Sequence, residues 1–255
     1  MLCIDSHVHL DDKAFDSDRE DVLARAQQQG VSHYIIPAVC TRLWQGLYTI
    51  SQDYKGCYPA YGLHPYFLSE HTPQHLDDLS TWLDTHPAVA VGECGLDYFL
   101  SDLDPIQQRY YFEAQINIAC EQNLPLIIHA RHAVEDVLNH IRQHPQSRGV
   151  IHSFSGSEQQ ARRLIDLGFY LSFGGVITYE RTRKLRRLVQ VLPLDALLVE
   201  TDAPDQPVAS HRQQRNEPAY LSEVVATIAQ LRGQSQEEVA AITTHNTQQL
   251  FNLPL

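Results

Sequence analysis

Histidine and acidic residues, the two residue types that bind divalent cations through nitrogen and oxygen, recur along this chain next to short apolar stretches. Imidazole and carboxylate groups suit zinc, manganese and magnesium ions. Two such ions can hold a bridging hydroxide, so the hypothesis drawn from these residues is a hydrolytic site with two divalent cations. The six candidate metal ligands are His7, His9, Glu93, His129, His152 and Asp202.

The first two candidates form a His-Val-His pair, and this pair alone is weak evidence. His7 and His9 would share one face of a strand and could meet one ion. With 14 histidines in 255 residues, however, chance gives about 0.8 such pairs. The pair on its own is equally compatible with two unrelated histidines at the end of a strand, so its position in the fold has to decide.

Eight apolar, β-branched stretches alternate with helical patterns along the chain. The stretches begin at Leu2, His33, Cys57, Ala88, Pro125, Gly149, Phe169 and Ala196. Helices are predicted over residues 18–29, 105–121, 132–143, 157–167, 179–191, 218–231 and 235–251. This alternation predicts an α/β fold, a single-domain (β/α)8 TIM barrel over residues 1–255 with an extra C-terminal helix. An open doubly wound sheet is the alternative, but it usually has a glycine-rich loop where this chain reads HVHLDD.

The predicted strands place most of the candidate ligands at one rim of the barrel. His9 lies just past the first strand, Glu93 and His129 close the fourth and fifth, His152 lies near the end of the sixth, and Asp202 follows the eighth. Since the carboxyl ends of parallel barrel strands form the active face, we expect these side chains to converge there.

Composition and charge exclude several classes of protein. The net charge of −12 argues against a wide nucleic-acid-binding surface, although not against one small site. The five cysteines lack a C-x-x-C spacing, which indicates a reducing, cytoplasmic environment. No apolar run is long enough for a membrane span, and no obligate protein partner is evident. The basic run 181–187 is either a solvated helix face or a nucleic acid contact.

Seven ordered motifs resemble the TatD family of metal-dependent hydrolases, which belongs to the amidohydrolase-like metal-dependent TIM barrels. The motifs are DSHVHL, GLHP, GECGLDY, IIHAR, HSFSG, ETDAP and NTQQLF. They cover nearly the whole chain and are similar to those of the family's branch of uncharacterised hydrolases. The resemblance implies that His7, His9 and Asp202 hold one ion, that His129 and His152 hold the other, and that Glu93 bridges them.

The resemblance implies a divalent-metal-dependent hydrolase that acts on ester bonds. The leading hypothesis is a phosphodiesterase, a deoxyribonuclease acting on nucleic acid ends, with Asp202 as general base and later proton donor. The alternative is an amide, lactone or ester hydrolase such as a D-aminoacyl-tRNA deacylase, because the same metals serve both reactions. A non-catalytic metal-binding scaffold is the third hypothesis.

Five further residues are candidates for supporting roles. His64 and Arg131 are predicted to contact substrate, with turn chemistry and a surface ion pair as the respective alternatives. Asp5 and Glu200 are predicted to orient the imidazoles or to balance charge, or else to be core carboxylates bonded to the backbone. Asp97 is predicted to orient an imidazole from a loop.

Overall fold

Eight parallel strands form one sheet in chain order, as the sequence predicts. The computed structural model describes residues 2–254. The strands are β1 Cys3–Asp5, β2 Val31–Ala38, β3 Cys57–Tyr61, β4 Ala90–Asp97, β5 Leu126–Arg131, β6 Gly149–Ile151, β7 Tyr170–Phe173 and β8 Leu197–Val199. Every adjacent pair from β1 to β8 is parallel, which confirms the barrel and excludes the doubly wound alternative.

Helices follow the strands and cover the outside of the barrel. They are α1 Arg19–Gln28, α2 Thr41–Asp53, α3 Gln74–Thr85, α4 Pro105–Glu121, α5 Val134–Gln143, α6 Glu158–Asp166, α7 Arg183–Val191, α8 Leu221–Arg232 and α9 Gln236–Phe251. All seven predicted helices are present, whereas α2 and α3 were not predicted. Helix α5 starts two residues later than predicted because His132 has a φ of +55°, which an α-helix does not permit. No helix within residues 2–254 has the length and apolarity that crossing a membrane requires.

The barrel closes where its first and last strands meet. The Ser6 amide donates to the Val199 carbonyl at 3.0 Å, and just beyond the strands the Asp202 amide donates to the His7 carbonyl at 2.9 Å. The two chain segments therefore continue side by side past the barrel wall. This pairing brings the His-Val-His segment next to Asp202, although nearly 200 residues separate them in the sequence.

Strand β4 is longer than its sequence pattern indicates, and two predictions about it are wrong. Glu93 lies inside β4 rather than at its end, and Asp97 is the last residue of the strand rather than a loop residue. The strand continues because its second half pairs with β5, as far as Asp97 opposite Arg131. The register shifts between Val91 and Cys94, so Glu93 lies at an irregularity of the ladder. Such irregularities re-aim side chains next to active sites.

An apolar layer fills the lower part of the barrel interior. Ile127 of β5 and Val150 of β6 belong to this layer. Since side chains two residues apart share a face of a strand, the next inward positions above them are His129 and His152. The layer also contains three residues from the end of α9 and the turn after it. Its members are Ile4, Ile35, Ala60, Ala90, Ile127, Val150, Leu198, Leu250, Phe251 and Leu253.

Candidate metal centre

Glu93 lies at the centre of the candidate site, and each of its carboxylate oxygens faces a different pair of imidazoles. Glu93 Oε2 is 3.3 Å from His7 Nε2 and 3.7 Å from His9 Nε2. Glu93 Oε1 is 2.9 Å from His152 Nε2 and 3.3 Å from His129 Nδ1. A carboxylate with one oxygen directed to each pair has the arrangement that a bridging ligand between two ions requires.

Asp202 joins the pair of imidazoles from the first strand segment. Its Oδ1 lies 3.5 Å from His7 Nε2 and 3.6 Å from His9 Nε2. The ligand atoms of these three residues lie within 4.8 Å of one another and could hold one ion. Gln206 donates from its side-chain nitrogen to Asp202 Oδ2, so the second oxygen of the carboxylate is also held.

The electrostatics of the cluster favour cations. Burial alone would raise the pKa of Glu93, but the surrounding imidazoles outweigh burial and hold this pKa well below its ordinary value. Burial likewise opposes charging of His9 and His152, yet the neighbouring carboxylates raise their pKa values to about 10 and about 9. The negative potential that attracts protons onto these imidazoles also attracts divalent cations, which compete with protons for the same nitrogen atoms.

The donor atoms fit divalent cations of the zinc, manganese or magnesium type. His7 Nε2 lies 3.3 Å from His9 Nε2, and His129 Nδ1 lies 3.2 Å from His152 Nε2. Two imidazole nitrogens at this separation repel through their lone pairs unless a proton or a metal cation offsets the repulsion. Nitrogen and carboxylate oxygen are the donors that these ions accept. The buried cluster can therefore bind metal.

Asp97 contacts His129, as the prediction that it orients this imidazole requires. The His129 Nε2–H group donates to Asp97 Oδ2 at 3.0 Å, while Asp97 Oδ1 accepts from the Phe99 amide at 2.9 Å. With the proton on Nε2, the lone pair of His129 lies on Nδ1, which faces Glu93 and His152. Burial opposes ionisation of Asp97, but the hydrogen bond from His129 outweighs it and lowers the pKa of Asp97.

Substituting Asp97 with asparagine is expected to weaken metal binding about 10–100-fold, because partners that orient metal-binding histidines contribute to affinity by this amount. Asp97 accepts hydrogen bonds from two N–H groups, and the asparagine amide would direct an N–H group of its own at one of them. Competition titration with a chromogenic chelator measures the affinity. Asp136→Asn is the matched control, because Asp136 accepts from Arg109 on the outer helices. Equal zinc affinities of the two variants would contradict this role of Asp97.

Asp5 contacts the backbone rather than an imidazole. It accepts from the amides of His7 at 3.3 Å and Thr201 at 2.9 Å, and from the Thr201 hydroxyl. Burial raises the pKa of Asp5 to about 8. The prediction that Asp5 orients an imidazole is therefore wrong for its direct contacts among the described residues, and the alternative of a backbone-bonded core carboxylate describes it. Asp5 fastens the seam between the first and last strands.

Glu200 lies beside His152 without a short contact to it. Glu200 Oε1 accepts from the Ser153 amide at 2.6 Å and lies 3.9 Å from His152 Nδ1. Burial raises the pKa of Glu200 to about 7. Its one hydrogen bond to the backbone holds the turn after β6, and an orienting role toward His152 stays a prediction.

A cavity of about 1250 Å³ opens above the cluster at the carboxyl rim of the strands. Arg131 lines it, and the Arg131 guanidinium carbon lies 3.7 Å from the centroid of the Phe99 ring. Phe99 is 52% exposed, and Tyr66, which lines the cavity wall, is 59% exposed. The structure thus places Arg131 at the predicted face, stacked on an aromatic ring and with its Nη1 4.0 Å from Asp97 Oδ2, so both its predicted substrate contact and the ion-pair alternative stay open.

Sequence reasoning missed two contacts in the site. His64 Nε2 lies 2.9 Å from Glu93 Oε1, among the imidazoles, and His64 also lines the cavity, so its contact with substrate stays a prediction. The GLHP motif indicated a functional histidine but not its partner. Gln206 was not a candidate, because no spacing rule connects it with Asp202 four residues earlier.

Comparison with known proteins identifies the family. The family model described as TatD related DNase matches residues 4–252. The chain belongs to the TatD family. This TatD-family chain is 39% identical to YjjV, an uncharacterized metal-dependent hydrolase of Escherichia coli K12, over all of both chains. It is 35% identical to YabD, a metal-dependent hydrolase of Bacillus subtilis, over 99% of this chain and 100% of that one.

Solved structures agree with this assignment. The crystal structure of YjjV, described as a TatD homolog, superposes with a TM-score of 0.96 at 38% identity over 100% of both chains. A phosphotriesterase homology protein from Escherichia coli, complexed with phosphate, superposes with a TM-score of 0.71 at 15% identity over 98% of each chain, which shows a shared fold only. The TatD-family chain is thus a metal-dependent hydrolase with a buried cluster able to bind metal.

Proposed function

We propose that this chain hydrolyses phosphodiester bonds at the ends of nucleic acid chains and that it uses two divalent cations. The observation that carries the substrate assignment is Arg131, which lines the cavity and is stacked on the exposed ring of Phe99. A guanidinium binds phosphate, and an exposed aromatic ring stacks on a base, so the pair suits a nucleotide. The family model's description as a related DNase supports the same substrate class.

The two cations would be held by the clusters around Glu93. His7, His9 and Asp202 would hold one ion, His129 and His152 the other, with Glu93 between them. When bound, the cations supply Lewis acidity and make hydroxide available at neutral pH. The protein supplies the geometry, because every donor atom comes from a strand or from the segment that follows one.

Asp202 is placed to move the proton. Its side chain is 12% exposed and lines the cavity, so the carboxylate can reach both the cluster and an incoming substrate. The hydrogen bond from Gln206 fixes the Asp202 Oδ2 atom. Burial would raise the pKa of Asp202, but the hydrogen bond with His9 outweighs it and lowers the pKa to about 2. Asp202 is therefore ionised at neutral pH and able to accept a proton.

The charges around the cavity favour contact with a short nucleic acid segment over a wide nucleic-acid-binding surface. Carboxylates of Asp11, Asp12 and Asp205 line the wall together with Lys13 and Arg131. This mixture suits one or two nucleotides near bound cations rather than a long duplex, in line with the net charge of −12. The five free cysteines support a reducing, cytoplasmic location for this activity.

Two residues of the basic run 181–187 donate hydrogen bonds to backbone carbonyls of neighbouring loops. Lys184 Nζ donates to the Ser155 carbonyl at 2.7 Å, and Arg186 Nη1 donates to the Ile177 carbonyl at 3.0 Å. Both residues therefore fasten α7 to neighbouring loops. We propose that the run forms a solvated helix face and that the phosphate contact is made by Arg131.

An activity screen tests the proposed function. The protein is reconstituted separately with zinc, manganese and magnesium, and is offered phosphodiesters, single-stranded DNA, amides, lactones and aminoacyl esters. Release of mononucleotides from single-stranded DNA is the expected result. Turnover confined to amides, lactones or aminoacyl esters would replace the phosphodiesterase by an acyl hydrolase, and absence of turnover with two bound ions would favour a scaffold. Glu93→Ala serves as the blank.

Arg131→Gln is expected to raise KM for a single-stranded oligonucleotide about tenfold, the effect of losing one charged hydrogen bond. Asp97 and His129 separate Arg131 from Glu93, so Arg131 is placed to bind a phosphate next to the one that reacts. We therefore expect no comparable change for methyl p-nitrophenyl phosphate, which has one phosphate. The salt dependence of oligonucleotide binding should fall by about one unit of slope.

Arg142→Gln is the matched control for Arg131, because Arg142 is exposed near the C-terminal end of α5, at the opposite end of the barrel. Equal effects of Arg131→Gln on the oligonucleotide and on the single-phosphate diester would contradict a neighbouring-phosphate contact. They would place Arg131 at the reacting phosphate instead.

A further inference from the structure

We infer that His64 is a hydrogen-bond donor locked in one tautomer, which positions Glu93, and that it is not a ligand of either cation. The inference rests on the proposed two-metal centre. The alternative is that His64 is itself a metal ligand, because the ligand atoms of His64, Glu93 and His129 lie within 4.8 Å of one another and could also hold an ion. Distance alone therefore does not decide between a third imidazole ligand and a donor.

The backbone of His64 is fixed from both sides. The His64 amide donates to the Val39 carbonyl at 2.9 Å. The His64 carbonyl accepts from the Phe67 amide at 3.0 Å and from the His71 side chain at 2.9 Å. The residue precedes a 3-10 helix at Pro65–Glu70 and has an extended conformation, with φ −74° and ψ 138°. The imidazole is therefore attached to a backbone that leaves it little freedom to turn over.

The hydrogen bonds of the ring determine where its proton lies. His64 Nδ1 accepts from the Tyr66 amide at 3.0 Å, as the N-cap of the 3-10 helix. A backbone N–H group can only donate, so Nδ1 has to carry a lone pair. A neutral imidazole then carries its proton on Nε2. That Nε2–H group points at Glu93 Oε1, 2.9 Å away.

A nitrogen that carries a proton has no lone pair to give to a metal. His64 could bind an ion through Nε2 only by losing this proton or by breaking its cap on Tyr66. His129 shows the opposite arrangement, because its Nε2–H group donates to Asp97 and its Nδ1 lone pair faces the cluster. The two neighbouring imidazoles, with ring centroids 4.6 Å apart, therefore have different roles.

His64 acts on the reaction through Glu93. Glu93 Oε1 faces His129 and His152, so a donor at the same oxygen limits how the carboxylate can rotate. His64 is thus a positioning residue for the group that lies between the two ion sites. Removing the donor should affect turnover more than substrate affinity, because the substrate itself is not released from any contact.

Nitrogen-15 NMR of histidine-labelled protein tests the tautomer directly, in the metal-free protein and after zinc loading. Signals of His64 are assigned by their loss in His64→Gln. The expected result is a protonated Nε2 and an unprotonated Nδ1 in both states. Loss of the Nε2 proton on zinc addition, or an Nδ1–H tautomer in either state, would overturn the inference. If zinc is not taken up, the proposed metal centre fails, while the metal-free spectrum still decides the tautomer.

Two substitutions separate the donor from the cap. Glutamine can place an N–H group where Nε2 lies but loses the cap on Tyr66, whereas asparagine keeps the cap and has no donor at that position. We expect His64→Asn to lower kcat about 10–100-fold, with KM changed less and with thermal stability near that of the parent protein. His64→Gln should keep most of kcat and lose thermal stability. If His64→Gln lowers kcat more than His64→Asn does, kcat depends on the cap rather than on the donor, and the role of the donor is overturned.

Discussion

Glu93→Gln is expected to lower kcat/KM on the best substrate of the screen by about 10³-fold or more. Removing a single donor to a transition-state oxygen costs about 10²–10³-fold, and Glu93 serves both proposed ion sites at once. The amide oxygen could still face one imidazole pair, but the amide N–H group would face the other pair, so one site should lose its ion. Metal content by mass spectrometry and turnover are measured on the same sample.

Glu70→Gln is the control for this substitution, since Glu70 is a partly exposed carboxylate that accepts from Arg42 outside the cluster. It should retain full activity and metal content. A Glu93→Gln protein that keeps two ions per chain and normal turnover would contradict the bridging position of Glu93.

Asp202→Asn is expected to lower kcat about 10²–10⁴-fold, the range for losing a general acid–base group. The asparagine side-chain oxygen can still face His7 and His9, so most of the bound metal should remain. Metal content is therefore the first measurement, and turnover is compared only between samples with equal content. This separates loss of proton transfer from loss of the ion.

Asp205→Asn provides a matched comparison, because Asp205 lies three residues further along the same segment and lines the same cavity. It does not belong to the groups of potential ligands among residues 2–254. We expect it to change turnover less than threefold. Undiminished turnover of Asp202→Asn with its metals in place would refute the role of Asp202 in proton transfer.

Periodicity and residue type were sufficient to predict the barrel. Strand β6 and the first half of β5 consist of apolar, buried residues, and α4 begins at a proline and ends where predicted. Helices α2 and α3 escaped prediction for a physical reason. Helix α2 contains Gly46, the first turn of α3 is polar, and each of the two helices buries only two residues. Packing against the barrel stabilises them more than intrinsic propensity does.

The site was predicted as a set of residues but not as a set of contacts. Parallel topology brings Glu93, His129 and His152 to one rim, and that topology can be read from the sequence. The hydrogen bonds of His64 and Asp97 cannot, because they depend on the register shift in β4 and on a 3-10 turn after β3. One-residue changes of register alter which side chains meet, and such changes leave no periodic signal.

The apolar layer beneath the metal cluster has a consequence for the path that a polymer can take. Phe251 and Leu253, packed with Ile4 and Leu198, seal the end of the barrel away from the cavity. Substrate and product therefore enter and leave through the same opening at the carboxyl rim. A nucleic acid strand cannot pass along the barrel axis as it passes through a ring-shaped enzyme. If the proposed nucleic acid substrate is correct, a strand has to enter end first or as a sharp loop, and each released fragment has to leave through the same opening before the strand advances.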